Sequence, residues 1–280
     1  MRPARPVAVL AAAALLAACT SSSAPDRAPA GPSPERTPSQ STAPSTYLAL
    51  GDSVAAGVGA SDPETRGYVP VLAGLLDDRL GCDGGRPPGC PVRERNLAVV
   101  GATTSTLLRD QLPRALGLIE TAPDVRLVTV TVGGNDVFAP ILRSCSRSVE
   151  DPACPRAVRD SLRRVDAGVD ELLRELTSAV GPATPVAVMT YYDPLPACRL
   201  ASLRPLAEQV LEGTDAEPGL NDVLRVRAAE HGALVVETAD RLAAPGDFVG
   251  GLDCLHPSTA GHARIAQAFA DTVARQVARR

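Results

Sequence analysis

Segments with the character of short strands alternate with longer segments of helical periodicity from residue 47 to the end of the chain. We predict strands over residues 47–50, 92–98, 125–132, 186–191 and 233–237. Apolar residues at helical spacing predict helices over residues 68–80, 105–118, 155–180, 203–211 and 220–230, and a terminal helix starts at Pro257-Ser258. Pro113 is expected to interrupt or kink the second of these helices.

This alternation predicts a three-layer α/β/α domain with a five-stranded parallel sheet. Because crossover connections are right-handed, we expect the flavodoxin-like strand order 2-1-3-4-5. The clearest helix, residues 155–180, carries its apolar residues on one face. In the terminal helix, four apolar residues are predicted to face the core: Ile265, Phe269, Val273 and Val277.

The first 18 residues have the features of an export signal. Arg2 and Arg5 precede an apolar run, residues 7–18, that is too short to span a bilayer as a mature helix. The sequence Leu16-Ala17-Ala18-Cys19 resembles a bacterial lipobox, in which the cysteine is diacylated and becomes the new N-terminus. We therefore expect an exported protein that is lipid-anchored through Cys19 to the outer face of the cell membrane. Ordinary signal cleavage and secretion is the alternative.

Residues 19–46 are rich in Ser, Pro, Thr and Ala and offer almost nothing apolar to bury. Such a segment cannot offset its ordering entropy, so we predict a disordered tether, followed by one folded domain over residues 47–280. The 280-residue chain is 45% hydrophobic and has a formal net charge of −4 without a basic cluster. This composition allows a sizeable core and argues against nucleic acid as a partner.

A candidate nucleophile follows the first predicted strand. Gly51-Asp52-Ser53 ends that strand abruptly, and ligands of open α/β sheets bind beyond the carboxyl ends of the strands. A serine hydroxyl needs a base and an oxyanion site to react at neutral pH. After the fifth strand, Asp253 lies three residues before His256, where its carboxylate can hold Nδ1–H and direct Nε2 at a serine. Taken alone, such a pair is more often a plain turn or a helix cap.

Two further turns follow the second and third predicted strands. Gly101 can point a backbone N–H into the same crevice, and Asn135 offers a side-chain amide. The alternatives are a glycine that starts a helix and an ordinary turn. His231, at a helix C-terminus, and His262, inside the terminal helix, are poorer bases because neither has the loop setting or the nearby acid. Since parallel strands end at one edge of a sheet, the candidates are predicted to converge there.

The chain resembles the SGNH (GDSL-type) esterase/lipase superfamily, and its exported actinobacterial members in particular, over essentially residues 47–280. The resemblance rests on four blocks in the family's order and spacing: Gly51-Asp52-Ser53, residues 96–101, Gly133-Gly134-Asn135-Asp136 and Asp253-x-x-His256. Val54 stands where the family name has Leu, a common conservative variant. The resemblance implies that Ser53 is the nucleophile, His256 the base and Asp253 its orienting acid. It also implies an oxyanion hole made of the Ser53 N–H, the Gly101 N–H and the Asn135 side chain.

The chain has seven cysteines, and lipidation of one would leave six, an even number that suits an oxidising compartment. Proximity along the chain favours Cys82–Cys90 and Cys145–Cys154, which leaves Cys198–Cys254. Similar secreted members of the superfamily carry three bridges in this pattern. A metal site is the competing interpretation, but no Cys-x-x-Cys or His cluster supports it.

The resemblance implies a serine hydrolase that acts on small-molecule or lipid esters without a metal or another cofactor, and we expect it to be a monomer. Its membrane contact would run only through the N-terminal lipid anchor. The alternative is an inactive surface lipoprotein that binds an envelope glycan or lipid. Residues 138–155 and 194–219 are the segments most suited to shape an acyl pocket, and they carry no readable specificity code.

Overall fold

A computed structural model describes residues 45–80, 91–122, 124–145, 148–195, 204–251 and 253–278. The predicted signal segment and nearly all of the predicted tether lie outside these ranges. So do four of the cysteines, namely Cys19, Cys82, Cys90 and Cys198, together with the side chain of Cys254. The predicted pairs Cys82–Cys90 and Cys198–Cys254 therefore remain predictions.

Five parallel strands form the central sheet: β1 (Ser45–Gly51), β2 (Val92–Asn96), β3 (Val125–Thr131), β4 (Val186–Met189) and β5 (Leu234–Val236). Their order is β2-β1-β3-β4-β5, which confirms the predicted topology. The central strands are buried almost throughout, as expected for a parallel sheet covered on both faces.

Nine helices within the described residues connect and cover these strands. They are α1 (Pro63–Arg66), α2 (Tyr68–Leu80), α3 (Thr104–Thr106), α4 (Leu112–Thr121), α5 (Gly134–Cys145), α6 (Ala153–Val180), α7 (Arg204–Glu212), α8 (Leu220–Glu230) and α9 (Thr259–Val277). Helix α2 packs on α9, whereas α6 packs on α4, α5 and α8. No helix in the described part of the chain is both long enough and apolar enough to cross a bilayer.

The long helix α6 buries the apolar stripe that its periodicity predicted. The residues Leu162, Val165, Val169, Leu172, Leu173 and Leu176 all lie in the core. In α9, Ile265, Phe269 and Val273 are buried as predicted. The prediction for Val277 was wrong: the residue is 49% exposed, because it ends α9 in a last turn that is largely open to solvent.

Helix α1 was not predicted, and β2, β4 and β5 are each shorter than the predicted strands. Three further differences concern the segments near Ser53. Helix α5 begins inside the Gly133-Gly134-Asn135-Asp136 block and was not predicted, because glycines and an internal proline (Pro140) disfavour helix formation. It forms because it packs on α6. The break in the second predicted helix is a π-helical turn over Leu107–Gln111, just before Pro113 opens α4. Asp253 and His256 lie in a small antiparallel hairpin, β6 (Phe248–Gly250) with β7 (Asp253–Pro257), rather than in a loop.

A disulfide bond joins Cys145 at the end of α5 to Cys154 in the first turn of α6, with a Cα–Cα distance of 4.8 Å. This is the pair that proximity along the chain predicted. Both cysteines are buried in the core cluster. The bond ties the helix that starts at the Asn135 turn to the helix that covers the sheet.

Candidate active site

The turn after β1 presents Ser53 at the carboxyl edge of the sheet. The backbone N–H of Val54 donates to Asp52 Oδ1 at 2.9 Å, and the N–H of Val58 donates to the Ser53 carbonyl at 3.0 Å. Gly59 lets the hairpin approach this turn closely, because a Cβ there would lie 2.2 Å from the Pro257 carbonyl oxygen. The turn is therefore short, internally bonded and pressed against the hairpin.

The hairpin brings His256 and Asp253 to Ser53. His256 Nε2 lies 2.9 Å from Ser53 Oγ, and His256 Nδ1 lies 2.8 and 2.9 Å from the two carboxylate oxygens of Asp253. Because an ionised carboxylate only accepts, Nδ1 carries the proton of the neutral ring, and Nε2 is left to accept from the serine hydroxyl. Asp253 Oδ1 also accepts from the His256 N–H at 3.3 Å, so the carboxylate is held against its own strand.

The other two predicted residues lie in adjoining turns. Asn135 is in the first turn of α5, and its Nδ2 donates to the Ala102 carbonyl at 3.0 Å. Gly101 occupies the tight turn before that carbonyl with a φ of +79°, a conformation that favours glycine. The same turn is fixed to the end of β1, since the Val99 N–H donates to the Gly51 carbonyl at 3.0 Å. The structure thus links the Gly101 turn to both the Ser53 turn and Asn135.

The Asp136 side chain connects the Asn135 turn to the segment after the Gly101 turn, a role that the sequence analysis did not assign. Its carboxylate accepts from the Thr104 N–H at 2.9 Å and from the Thr104 hydroxyl at 2.7 Å. Burial raises the pKa of Asp136, and the two hydrogen bonds from Thr104 act in the opposite direction. Asp136, in the third sequence block, therefore fixes the segment that directly follows the second block.

The two histidines judged poorer bases are engaged elsewhere. His262 is buried, accepts the Tyr68 N–H at Nδ1 (3.3 Å) and donates from Nε2 to the Val58 carbonyl (3.0 Å), so it supports the Ser53 turn. Burial lowers the pKa of His262, which favours this neutral form. His231 Nε2 lies 2.8 Å from Asp170 at the C-terminus of α8.

One group of described side chains has the composition of a metal site. Potential ligand atoms of Asp170, Glu230 and His231 lie within 4.8 Å of one another. The Arg227 guanidinium donates to Glu230 at 2.6 Å and to Asp170 at 3.5 Å, so a cation already satisfies these carboxylates. This group sits beside the amino end of β5, away from the edge that carries Ser53.

A groove of about 460 Å³ opens beside Asn135, between α3, α5 and α6. It is lined in part by Leu108, Ala139, Pro140, Arg143 and Arg164. Three of these residues, Ala139, Pro140 and Arg143, belong to the segment 138–155. The sequence analysis expected this segment to shape an acyl pocket but found no motif in it that indicates a substrate. The groove combines apolar side chains with exposed charged groups of both signs, namely Arg143, Arg164 and Glu171.

A sequence model of the GDSL-like lipase/acylhydrolase family matches residues 49–264, which include all four sequence blocks. The chain belongs to this family. This finding confirms the resemblance to SGNH (GDSL-type) enzymes, and it makes the protein a carboxylic ester hydrolase of the GDSL type. No curated protein matches the chain significantly.

Solved structures with the same fold include esterases and lipases. A lipase from a goat rumen metagenome aligns with a TM-score of 0.62 at 20% identity, over 81% of this chain and 97% of its own. The acetylxylan esterase of Geobacillus stearothermophilus aligns with a TM-score of 0.56 at 20% identity, over 82% and 94%. The extracellular lipase of Streptomyces rimosus aligns with a TM-score of 0.57 at 22% identity, over 81% and 99%. At these identities the similarity establishes that the GDSL-like hydrolase shares their fold.

Proposed function

We propose that this GDSL-like hydrolase cleaves esters through an acyl-enzyme on Ser53, with His256 as the general base and Asp253 as the acid that orients it. The observation that carries the proposal is the unbroken line of contacts from Ser53 Oγ to His256 Nε2 (2.9 Å) and from His256 Nδ1 to Asp253 (2.8 Å). The order of atoms is that of a serine hydrolase triad.

In the first half-reaction, Ser53 Oγ attacks the ester carbonyl carbon while its proton moves to His256 Nε2. The tetrahedral intermediate then collapses, the bond to the alcohol oxygen breaks, and His256 returns the proton to the leaving alcohol. In the second, His256 takes a proton from water, which attacks the acyl carbon. The carboxylic acid leaves as Ser53 Oγ regains its proton, so the enzyme is unchanged at the end of the cycle.

We assign the oxyanion hole to the backbone N–H groups of Ser53 and Gly101 and to the Asn135 side chain. The Asn135 amide carries two N–H bonds, and the one that donates to Ala102 fixes the plane of the group. The second N–H is then available for a substrate oxygen. Donors that are fixed before the reaction stabilise the developing charge without a reorganisation cost.

Labelling with a fluorophosphonate tests this proposal and separates it from the alternative of an inactive glycan- or lipid-binding lipoprotein. We expect the wild type to be labelled, and both Ser53→Ala and His256→Ala to lose p-nitrophenyl ester turnover by about 10⁴-fold or more. His231→Ala is the matched control, because it removes a histidine from another His–Asp pair with a 2.8 Å contact. A folded Ser53→Ala or His256→Ala variant with near wild-type turnover would refute that assignment, and an unlabelled wild type would favour the alternative.

For the substrate we propose a small-molecule or lipid ester whose acyl or alcohol part lies in the groove beside Asn135. The apolar lining from Leu108, Ala139 and Pro140 supports this placement. A series of p-nitrophenyl esters of increasing acyl length tests it in wild type and in Ala139→Leu, which would narrow the groove. We expect the variant to lose the longer esters first. An unchanged chain-length profile would place the substrate elsewhere.

We further propose that the protein is exported, that residues 1–18 are removed, and that lipidated Cys19 anchors a monomeric domain to the membrane through the tether of residues 19–46. The support comes from the sequence: the charged start, the short apolar run and the lipobox-like Leu16-Ala17-Ala18-Cys19. Mass spectrometry of the mature N-terminus tests the processing. Movement of a Cys19→Ala variant from the membrane to the soluble fraction would support the anchor, and an unmodified mature N-terminus beyond residue 19 would refute it.

A further inference from the structure

Asp52 directly precedes the nucleophile Ser53, and its carboxylate accepts hydrogen bonds from residues at the ends of three adjacent strands. Its side chain is buried, with 2% of the residue exposed. Oδ1 accepts from the Val54 N–H at 2.9 Å and from the Thr131 hydroxyl at 3.3 Å. Oδ2 accepts from the Tyr191 hydroxyl. One carboxylate therefore connects the ends of β1, β3 and β4.

The Tyr191 side chain also contacts the Asn135 turn. Its ring packs on Gly134, the residue before Asn135, so closely that a Cβ on Gly134 would lie 2.9 Å from Tyr191 Cε1. The backbone of Tyr191 is fixed in turn by the buried Asn221 of α8. The Tyr191 N–H donates to Asn221 Oδ1 at 2.6 Å, and Asn221 Nδ2 donates to the Tyr191 carbonyl at 2.8 Å. Asn221 thus fixes the backbone of Tyr191, and the Tyr191 side chain contacts both the Ser53 turn and the Asn135 turn.

We propose that Asp52 and Tyr191 are positioning residues that hold the Ser53 turn and the Asn135 turn in the single relative geometry required by the tetrahedral transition state. The proposal rests on the function assigned above to Ser53 and Asn135. These two groups must reach the same carbonyl group from different strands, and an error of about 1 Å in such an arrangement can cost roughly 100-fold in rate. The Asp52–Tyr191 hydrogen bond joins the Ser53 turn to the side chain that packs on the Asn135 turn.

The burial of Asp52 predicts that the Asp52–Tyr191 pair has a measurable pH dependence. Burial raises the pKa of Asp52 to about 6, while the hydrogen bonds from Tyr191, Val54 and Thr131 lower it. The other titratable groups facing Asp52 are Tyr68 of α2, Tyr192 after β4 and His256 of β7. Loss of the Tyr191 donor should therefore raise the pKa of Asp52 further. Protonation of Asp52 at Oδ2 would turn that oxygen from an acceptor of a hydrogen bond into a donor.

The test compares Tyr191→Phe with Tyr47→Phe, after both have been quantified by fluorophosphonate titration of active sites. Tyr47 is also a buried tyrosine, and its hydroxyl bonds to Thr129 at 2.8 Å, away from the catalytic edge, so Tyr47→Phe removes the same group at another place. With p-nitrophenyl butyrate we expect Tyr191→Phe to lower kcat by roughly 10- to 100-fold while KM changes by less than about threefold. We also expect the acid limb of its kcat–pH profile to move to higher pH. In Tyr47→Phe neither should change.

Either a kcat of Tyr191→Phe equal to that of Tyr47→Phe, or an unmoved acid limb, would overturn the proposal. If Tyr191→Phe fails to fold, Asp52→Asn replaces it. The neutral amide resembles a protonated Asp52: its oxygen can still accept from Val54, but its nitrogen cannot accept from Tyr191. We therefore expect kcat to fall by roughly tenfold and the acid limb to move to lower pH, because position 52 no longer titrates. An acid limb identical to that of wild type would overturn the proposal in this variant too. Failure of the proposed function is recognised separately, because the wild type itself would then resist labelling.

Discussion

The side chain of Gln111 makes two hydrogen bonds to the backbone of Gly51, although the residues lie 60 positions apart. The Gly51 N–H donates to Gln111 Oε1 at 2.9 Å, and Gln111 Nε2 donates to the Gly51 carbonyl at 2.8 Å. Gln111 is buried at the end of the π-helical turn, which aims its amide at the last residue of β1. The Gln111 amide thus takes the place of a neighbouring strand at the last residue of β1, just before the Ser53 turn begins.

We predict that Gln111→Ala lowers the free energy of unfolding by about 2–3 kcal/mol, because it leaves the Gly51 N–H buried without an acceptor. Urea denaturation measures the change. Gln267→Ala is the control: it removes a glutamine that donates to Asp271 at 2.7 Å on the partly exposed side of α9, and it should cost less than about 1 kcal/mol. Equal losses in the two variants would contradict the role given to Gln111.

Asn135→Ala should lower kcat by roughly 10²–10³-fold with a smaller change in KM, since an oxyanion donor acts mainly in the transition state. Steady-state kinetics on one p-nitrophenyl ester measures both constants. Asn96→Ala is the matched control, because Asn96 Nδ2 also donates to a backbone carbonyl of this region, that of Ala55, at 2.7 Å. An effect of Asn135→Ala confined to KM would make Asn135 a substrate-binding residue, and an equal loss in Asn96→Ala would make it a structural tie.

Asp52 should make the folded state less stable as the pH rises. Its pKa is raised from 3.8 to about 6 by burial, so the folded state binds this proton more tightly than the unfolded state does. The stability that it contributes is full below pH 4 and is lost as the pH rises to about 6. Asp52→Asn lacks this titration, so its stability relative to wild type should increase over that interval by up to about 3 kcal/mol. Denaturation at a series of pH values measures the difference, and a flat difference would show that Asp52 is not perturbed.

Removal of the Cys145–Cys154 bridge should destabilise the domain with little effect on turnover. The bond closes a loop with a sequence separation of 9 residues, for which chain entropy predicts a loss of about 2.5–3 kcal/mol in a double serine variant. Neither cysteine contacts the triad. Thermal denaturation and kcat are the two measurements, and a loss of activity larger than the loss of folded protein would show that the bridge also shapes the site.

The predicted Cys198–Cys254 bridge should matter more for activity, since Cys254 lies in β7 between Asp253 and His256. A covalent tie there would restrain the strand that carries the base, and its long loop gives it the largest entropic effect, of about 4 kcal/mol. Peptide mapping under non-reducing conditions comes first. We then expect the double serine variant at 198 and 254 to lose more activity and stability than the variant at 145 and 154. A free thiol at Cys254, or a different partner, would refute the pairing.

The sequence by itself determined the layers, the strand order and the approach of the Asp253–His256 pair to Ser53. Alternation of strand-like segments with amphipathic helices is a local signal, and right-handed crossovers then leave few possible topologies. Glycine-rich turns at strand ends are local signals too, which is why the contact of the Asp253–His256 pair with Ser53 could be predicted without coordinates.

Only the tertiary structure decided how these turns are held in place. The donors to Asp52 and Gly51 come from Tyr191 and Gln111, which lie 139 and 60 residues away and sit in segments with no distinctive pattern of their own. Helix α5 likewise exists because α6 covers it, against the preference of its glycines and of Pro140. Such contacts leave no periodicity in the sequence, because a buried hydrogen bond depends on where the whole chain places two groups and not on the residues around either one.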